Sequence, residues 1–322
     1  MSVKATSGAI DLVADIGGTN ARFALVDERM QPFSEATLRC ADYPTLTDAV
    51  HAYLASIGAW RPHAAAFAVA TAVTGDSVRL TNSDWAFSTE QVRRQAGLDR
   101  LLVLNDFTAL AYALPFIAAT ELRQVGGGTA VPNSTMGVIG PGTGLGVSGL
   151  IPSGNHWIPL QGEGGHSSFS PADARETEIL NILWREHPHV SVERLVSGMG
   201  MPYLHQAIAQ LEGHAYCPLT PAELTTGALQ QRDPLCIAVL EAFCAMLGSA
   251  AGNLALTLGA RGGVYIGGGI VQKLGDFFDR SAFRQRFEAK GRFSAYLSAI
   301  PTFVILADNP ALTGAAWALR QG

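Results

Sequence analysis

Apolar and polar positions alternate at the start of the chain: Ile10, Leu12 and Ala14 alternate with Asp11, Val13 and Asp15, which predicts a strand. Ala21-Arg22-Phe23-Ala24-Leu25-Val26 predicts a second, and Asp15-Ile16-Gly17-Gly18-Thr19-Asn20 between them reads as a tight hairpin turn. Ala65–Ala70 and Leu101–Leu104 are short buried strands, and Thr89–Ala96 is a helix opened by Ser88. The alternation is α/β patterning with parallel strands.

Thr135–Gly149 repeats the strand, glycine turn, strand arrangement, so two related halves are expected, each contributing one such loop to a cleft. Arg175–Arg185, Tyr203–Leu211 and Pro234–Leu258 predict helices. Ala242 to Ala260 carries no charge and is apolar enough to suggest a membrane span. Ser249, Asn253 and Thr257 dilute it, and Gly248 and Gly252 favour a core helix in close packing. Gly262 to Ile270 is a strand running into three glycines and a helix start. Thr302–Leu306 is a last strand, followed by a helix at Leu312–Leu319 that folds back onto the first domain.

A chain of 322 residues suggests about two domains, and 48% hydrophobic against 15% charged residues supports large cores. A net charge of −5 with no run of Lys or Arg argues against a nucleic-acid partner. Cys40, Cys217, Cys236 and Cys244 show no CxxC spacing, so no structural zinc or disulfide framework is expected, only buried thiols in a reducing cytosol. Asp11 and Asp15 interrupt any signal-peptide core; a cytoplasmic protein without a membrane partner is expected.

Gly17 and Gly18 let a ligand approach the backbone, and Thr19 and Asn20 add donors, as in an anion cradle. Asp15 beside a phosphate needs a cation between them, so it is read as a Mg2+ partner, direct or through water. Gly140–Gly146, with the Thr143 hydroxyl, is a second phosphate clamp, and Gly267, Gly268 and Gly269 lie where α/β proteins meet nucleotides. Asn105 and Asp106 end a buried strand. Asp106 is the general-base candidate for a sugar hydroxyl and Asn105 would fix a neighbouring one; the ordinary alternative is that Asp106 caps a helix from Thr108 to Leu114. Glu163 and His166, three apart on a glycine turn, suit a polyol better than a metal. Ser191 is read as a helix cap and Glu193 as a residue that stabilises that helix's first turn.

Taken together these residues resemble the zinc-free bacterial glucokinase family of the hexokinase, actin and Hsp70 ATPase superfamily. The resemblance runs nearly end to end: Asp15 to Arg22, Thr81-Asn82 with Trp85 to Ser88, Asn105 to Ala109, Gly142 to Val147, Gly162 to His166, Glu193 to Gly198, Gly267 to Val271 and Asp308-Asn309-Pro310. It implies two ribonuclease H-like α/β domains of the actin-like ATPase fold with a cleft between them, a small one from 1-116 plus 307-322 and a large one from 117-306. It implies transfer of the γ-phosphoryl group of MgATP to the 6-hydroxyl of glucose, the first step of glycolysis. Asn105, Asp106, Glu163, His166 and Glu193 would hold the sugar, with Asp106 as base. Asp15, Ile16, Gly17, Gly18, Thr19, Asn20, Thr143, Gly267, Gly268 and Gly269 would hold ATP with its Mg2+. A homodimer is expected.

The related repressor and kinase branch carries a cysteine-rich zinc motif after its histidine, and no Cys lies between Cys40 and Cys217. Two departures from the pattern stand out. Ala70 to Asp76 lacks the usual Cys-Pro pair, and Pro141 removes an N–H from the second phosphate loop. A kinase for another hexose is the nearest alternative. A nucleotide-switched binding protein of the actin or Hsp70 kind is the alternative from another class; it needs no sugar base, whereas Asn105-Asp106 with Glu163 to His166 favours transfer.

Overall fold

A computed structural model describes residues 10–321 except Asn82, so the Asn82 of the quoted motif lies outside the described residues. Its strands are β1 (Asp11–Ile16), β2 (Asn20–Val26), β3 (Pro32–Arg39), β4 (Ala64–Val69), β5 (Ser77–Arg79), β6 (Ala86–Ser88), β7 (Arg100–Asn105), β8 (Leu122–Val125), β9 (Met136–Pro141), β10 (Leu145–Ser153), β11 (His156–Leu160), β12 (Val264–Ile266) and β13 (Thr302–Ile305). Among the described residues two compact units emerge: residues 10–117, 153–161 and 307–321, and residues 118–152 with 162–306.

The first unit is built on the sheet β3-β2-β1-β4-β7, mixed rather than all parallel, because the β1–β2 and β2–β3 hairpins are antiparallel. Its two faces bury different sets. Leu12, Ala14 and Ile16 pack with Val50 and Tyr53 of the helix Leu46–Ser56, while Val13 and Ala66 pack with Leu312 and Ala315 of the helix Pro310–Gln321. Period two thus serves both sides of β1. A capping box at Thr45 and Asp48 starts the Leu46–Ser56 helix, and Ser88 Oγ accepts from the Gln91 N–H (3.1 Å) to start Thr89–Gln95.

Residues 153–161, which the sequence places inside 117-306, group with the first unit. The Trp157 N–H donates to Gln321 Oε1 at 2.8 Å, a contact between residues too far apart in the chain for spacing to reveal.

The second unit carries β9, β12 and β13 in parallel, with β10 and β8 antiparallel at the sides, in the strand order β10-β9-β12-β13-β8. Pro234–Leu258 forms one helix of 25 residues, started by Asp233 Oδ1 accepting from the Cys236 N–H (2.8 Å) and ended by Gly259 at φ 60°. It is long and apolar enough to cross a membrane, yet 72% of its most apolar stretch is buried within the protein. Gly248 and Gly252 allow this. A Cβ there would lie 2.2 Å from Phe283 O and 2.6 Å from Phe287 O, so the backbone of Phe283–Glu288 packs directly on the helix.

Three of the four cysteines are buried as expected; Cys217 is exposed, on the polar stretch after the helix Met201–Glu212, where no packed element covers it.

Candidate active site

In the first unit, β1 and β2 pair from Asp11↔Val26 to Ile16↔Ala21, leaving a turn that the Gly17 N–H closes by donating to Asn20 O (3.0 Å). An added Cβ at Gly17 would meet only Asn20 O at 3.5 Å. Packing does not require glycine there; what glycine supplies is access to the backbone from outside. Ile16 is buried in the core and offers its backbone alone, whereas Thr19 is exposed.

The turn rests on a residue that the sequence did not single out. The Cys40 N–H donates to Thr19 O (2.9 Å) and its thiol to Gly17 O (3.4 Å). Burial pushes the Cys40 pKa up, which keeps the thiol protonated as a donor. Nothing in the local pattern could reveal this brace, because Cys40 stands 23 residues from Gly17.

Asp15 faces Arg22 across the hairpin, Oδ2 to Nη1 at 3.3 Å, with 22% of its side chain exposed. Burial raises its pKa and the neighbouring guanidinium opposes that rise. A single carboxylate is an oxygen ligand of the kind Mg2+ accepts, directly or through water, when phosphates and water complete its shell. When bound, the ion neutralises charge on the phosphates.

At the end of β7 the helix Asp106–Ala113 begins at once, two residues earlier than the sequence suggested. Asn105 is its cap: Oδ1 accepts from the N–H groups of Phe107 (2.9 Å) and Thr108 (3.2 Å). The amide Nδ2 donates to Thr71 O (3.3 Å), within the departing Ala70 to Asp76 segment. Asp106 is partly buried in the first turn, with Oδ1 accepting from its neighbour Phe107 N–H (2.9 Å). The capping role weighed for Asp106 therefore falls to Asn105, whose extended backbone suits the position.

In the second unit the glycine loop between β9 and β10 is pinned from behind. Gly198 and Met199 N–H groups donate to Gly142 O (2.8 Å) and Thr143 O (3.1 Å), and Thr143 itself is exposed. Gly267 N–H continues the ladder to Ile139 O (2.9 Å), and Gly268, at φ 81°, sits so that a Cβ would lie 2.3 Å from Pro141 O. Two of the glycine stretches thus meet at Pro141. Cβ atoms at Gly142 and Gly269 would touch nothing within 4 Å, so the backbone at both is accessible from outside.

Glu193 is the hub of this unit's polar residues. Its Oε2 accepts from the Leu145 N–H (2.7 Å), its Oε1 lies 3.8 Å from His166 Nδ1, and its own N–H donates to Gly165 O (2.9 Å). A Cβ at Gly144 would be 2.5 Å from Oε2, so glycine is required there for the carboxylate to approach. The expected helix at Ser191 does not form. Ser191 Oγ instead accepts from the Arg194 N–H (3.2 Å) in a run of turns, and the helix waits until Met201. Glu163 precedes the short turn Gly164–His166 and is exposed, as is His166, 60% of whose side chain faces out.

The sequence profile of the glucokinase family matches residues 12–322. The chain belongs to the glucokinase family. It is 55% identical over 310 residues to a glucokinase of Aromatoleum aromaticum, covering 96% of this chain and 94% of that one. A glucokinase of Chromobacterium violaceum is 53% identical over 305 residues, 95% of this chain and 88% of that one. A crystal structure of glucokinase from an Antarctic psychrotroph superposes with a TM-score of 0.89 at 38% identity, over 97% of this chain and 99% of that one.

Proposed function

We propose that this chain transfers the γ-phosphoryl group of MgATP to the 6-hydroxyl of glucose, giving glucose 6-phosphate and ADP. The observation that carries the reading is Glu193, which ties the phosphate-type loop at Gly142–Gly146 to the Glu163 and His166 turn within one unit. Phosphoryl transfer needs donor and acceptor side by side, and a shared carboxylate sets that spacing.

Asp106 accepts the proton of the attacking hydroxyl. Its place at the first turn of a helix, on a strand end, holds the carboxylate without a flexible loop. Asn105 spends one amide N–H on Thr71 and has a second for a sugar hydroxyl. Glu163, His166 and Glu193 bind the remaining hydroxyls. Asp15, Ile16, Gly17, Gly18, Thr19, Asn20, Thr143, Gly267, Gly268 and Gly269 hold the nucleotide, with Asp15 reaching Mg2+ through water. The family resemblance supports two ribonuclease H-like units of the actin-like kind, a cytoplasmic homodimer, and no nucleic-acid or membrane partner.

ATP turnover with and without glucose tests the reaction. Strong dependence on glucose is expected, and Asp106→Ala is expected to lower kcat by roughly 10²- to 10⁴-fold while glucose still binds. Equal hydrolysis in both conditions would overturn the transfer reading in favour of a nucleotide switch.

A further inference from the structure

Behind the Glu193 hub the second unit encloses a cavity of about 280 Å3, between β9–β10, the segment 164–170 and the long helix. Its interior is apolar: Ile139, Leu145, Val147, Phe169, Met246 and Leu254. Its polar lining is hydroxyls and one amide, from Ser167, Ser168, Ser170, Asn253 and Thr257, together with Ser249, and no ionisable side chain is among the described lining residues. The nearest cations are already engaged. Arg286 pairs with Glu176 (2.6 Å) and Asp173 (3.3 Å) while donating to Ser249 Oγ (3.1 Å), and Lys290 donates to Asn253 Oδ1 (2.7 Å).

We propose that this cavity is a regulatory site for a small uncharged phenol or aryl alcohol whose occupancy tightens sugar binding. A cavity of about 150 Å3 takes benzene, so this one takes a ring with a short tail. A lining without ionisable groups selects against ions, and a hydroxyl that both donates and accepts matches Ser, Thr and Asn at the edge. The coupling follows from the wall. Leu145 carries the N–H held by Glu193; Val192 precedes Glu193; Gly164 and Ser167 flank the turn that presents His166. A ligand that packs against these residues orders them before glucose arrives, which lowers the ordering cost of sugar binding. By reciprocity glucose strengthens the ligand's own binding by the same factor. The coupling, unlike the cavity, rests on the sugar-site reading above.

The probe is 4-propylphenol, titrated calorimetrically into the full chain. Saturable one-to-one binding is expected, lost in Ala250→Phe, which fills the cavity, and in Thr257→Trp, which blocks its exposed edge and leaves the core untouched. Both variants keep basal glucose phosphorylation. Saturating probe is expected to tighten glucose binding about fivefold or more and to slow hydrogen exchange at the Leu145 and Glu193 amides. No saturable binding, or binding that survives in both variants, overturns the site; unchanged glucose affinity at saturating probe overturns the coupling. Should glucose itself fail to bind, the sugar reading and the coupling fall together, while saturable probe binding that is lost in both variants still upholds the cavity as a site.

Discussion

The backbone N–H of Leu145 donates to Oε2 of Glu193 at 2.7 Å, joining positions 48 residues apart. The same carboxylate leans toward His166, so one side chain sets both the entrance of β10 and the imidazole.

Removing it is expected to disturb two ligands together. Glu193→Ala leaves a part-buried N–H without its charged acceptor, a loss of about 1–3 kcal/mol, and is expected to raise the KM for glucose and, less, for ATP. Glu193→Gln keeps an acceptor and is expected to lose less. Steady-state kinetics with each substrate varied decides; unchanged KM values for both would leave the bond without a positioning role.

Asp15→Asn is expected to stabilise the fold while weakening MgATP binding. Burial raises the folded-state pKa above the ordinary 3.8, so folding favours the protonated form. The folded protein then binds more protons between the two values, and stability falls as pH rises through that window and stays lower above it. The amide carries no such penalty. The variant's Tm is therefore expected to exceed the parent's near neutral pH, with the gain vanishing as pH falls below the unfolded value. A lower Tm at neutral pH would mean that the Arg22 pairing outweighs desolvation.

Gly268 and Gly269 are expected to part company on substitution by alanine. At 268 a Cβ meets backbone at 2.3 Å with φ at 81°, so Gly268→Ala should cost about 1–3 kcal/mol of stability as well as ATP affinity. At 269 the Cβ meets nothing, so Gly269→Ala should hold its Tm and lose ATP affinity alone. Urea unfolding beside nucleotide titration separates them, and undiminished ATP affinity in Gly269→Ala would remove that glycine from the nucleotide site.

Gly314 touches the helix that carries Asp106. Its Cβ would fall 1.7 Å from Ala109 O, closer than any side-chain adjustment can relieve, because the obstacle is backbone. Gly314→Val is expected to lower both stability and kcat, the second because the Asp106–Ala113 helix must shift. Wild-type denaturation midpoints would show that the two helices move apart freely.

Much of this was legible in the sequence. The hairpin at Asp15–Asn20, the strand end at Asn105-Asp106 and the packing glycines Gly248 and Gly252 announce themselves through short-range pattern, since turn and close-approach chemistry is local. Glu193 was undervalued because an isolated carboxylate after a serine looks like a helix start; only the approach of Gly144 and Gly165, brought by the fold, gives it partners. Cys40 and residues 153–161 were missed for the same reason. Their roles depend on tertiary neighbours that no spacing encodes.

The helix Pro310–Gln321 fills one face of the first unit's sheet, although the whole of the second unit precedes it in the chain. During synthesis, then, β1, β4 and Asp106 leave the ribosome long before the residues that cover them. The apolar face of Val13 and Ala66 stays uncovered throughout that interval, which makes it a surface for chaperone capture and makes the second unit the first able to fold completely.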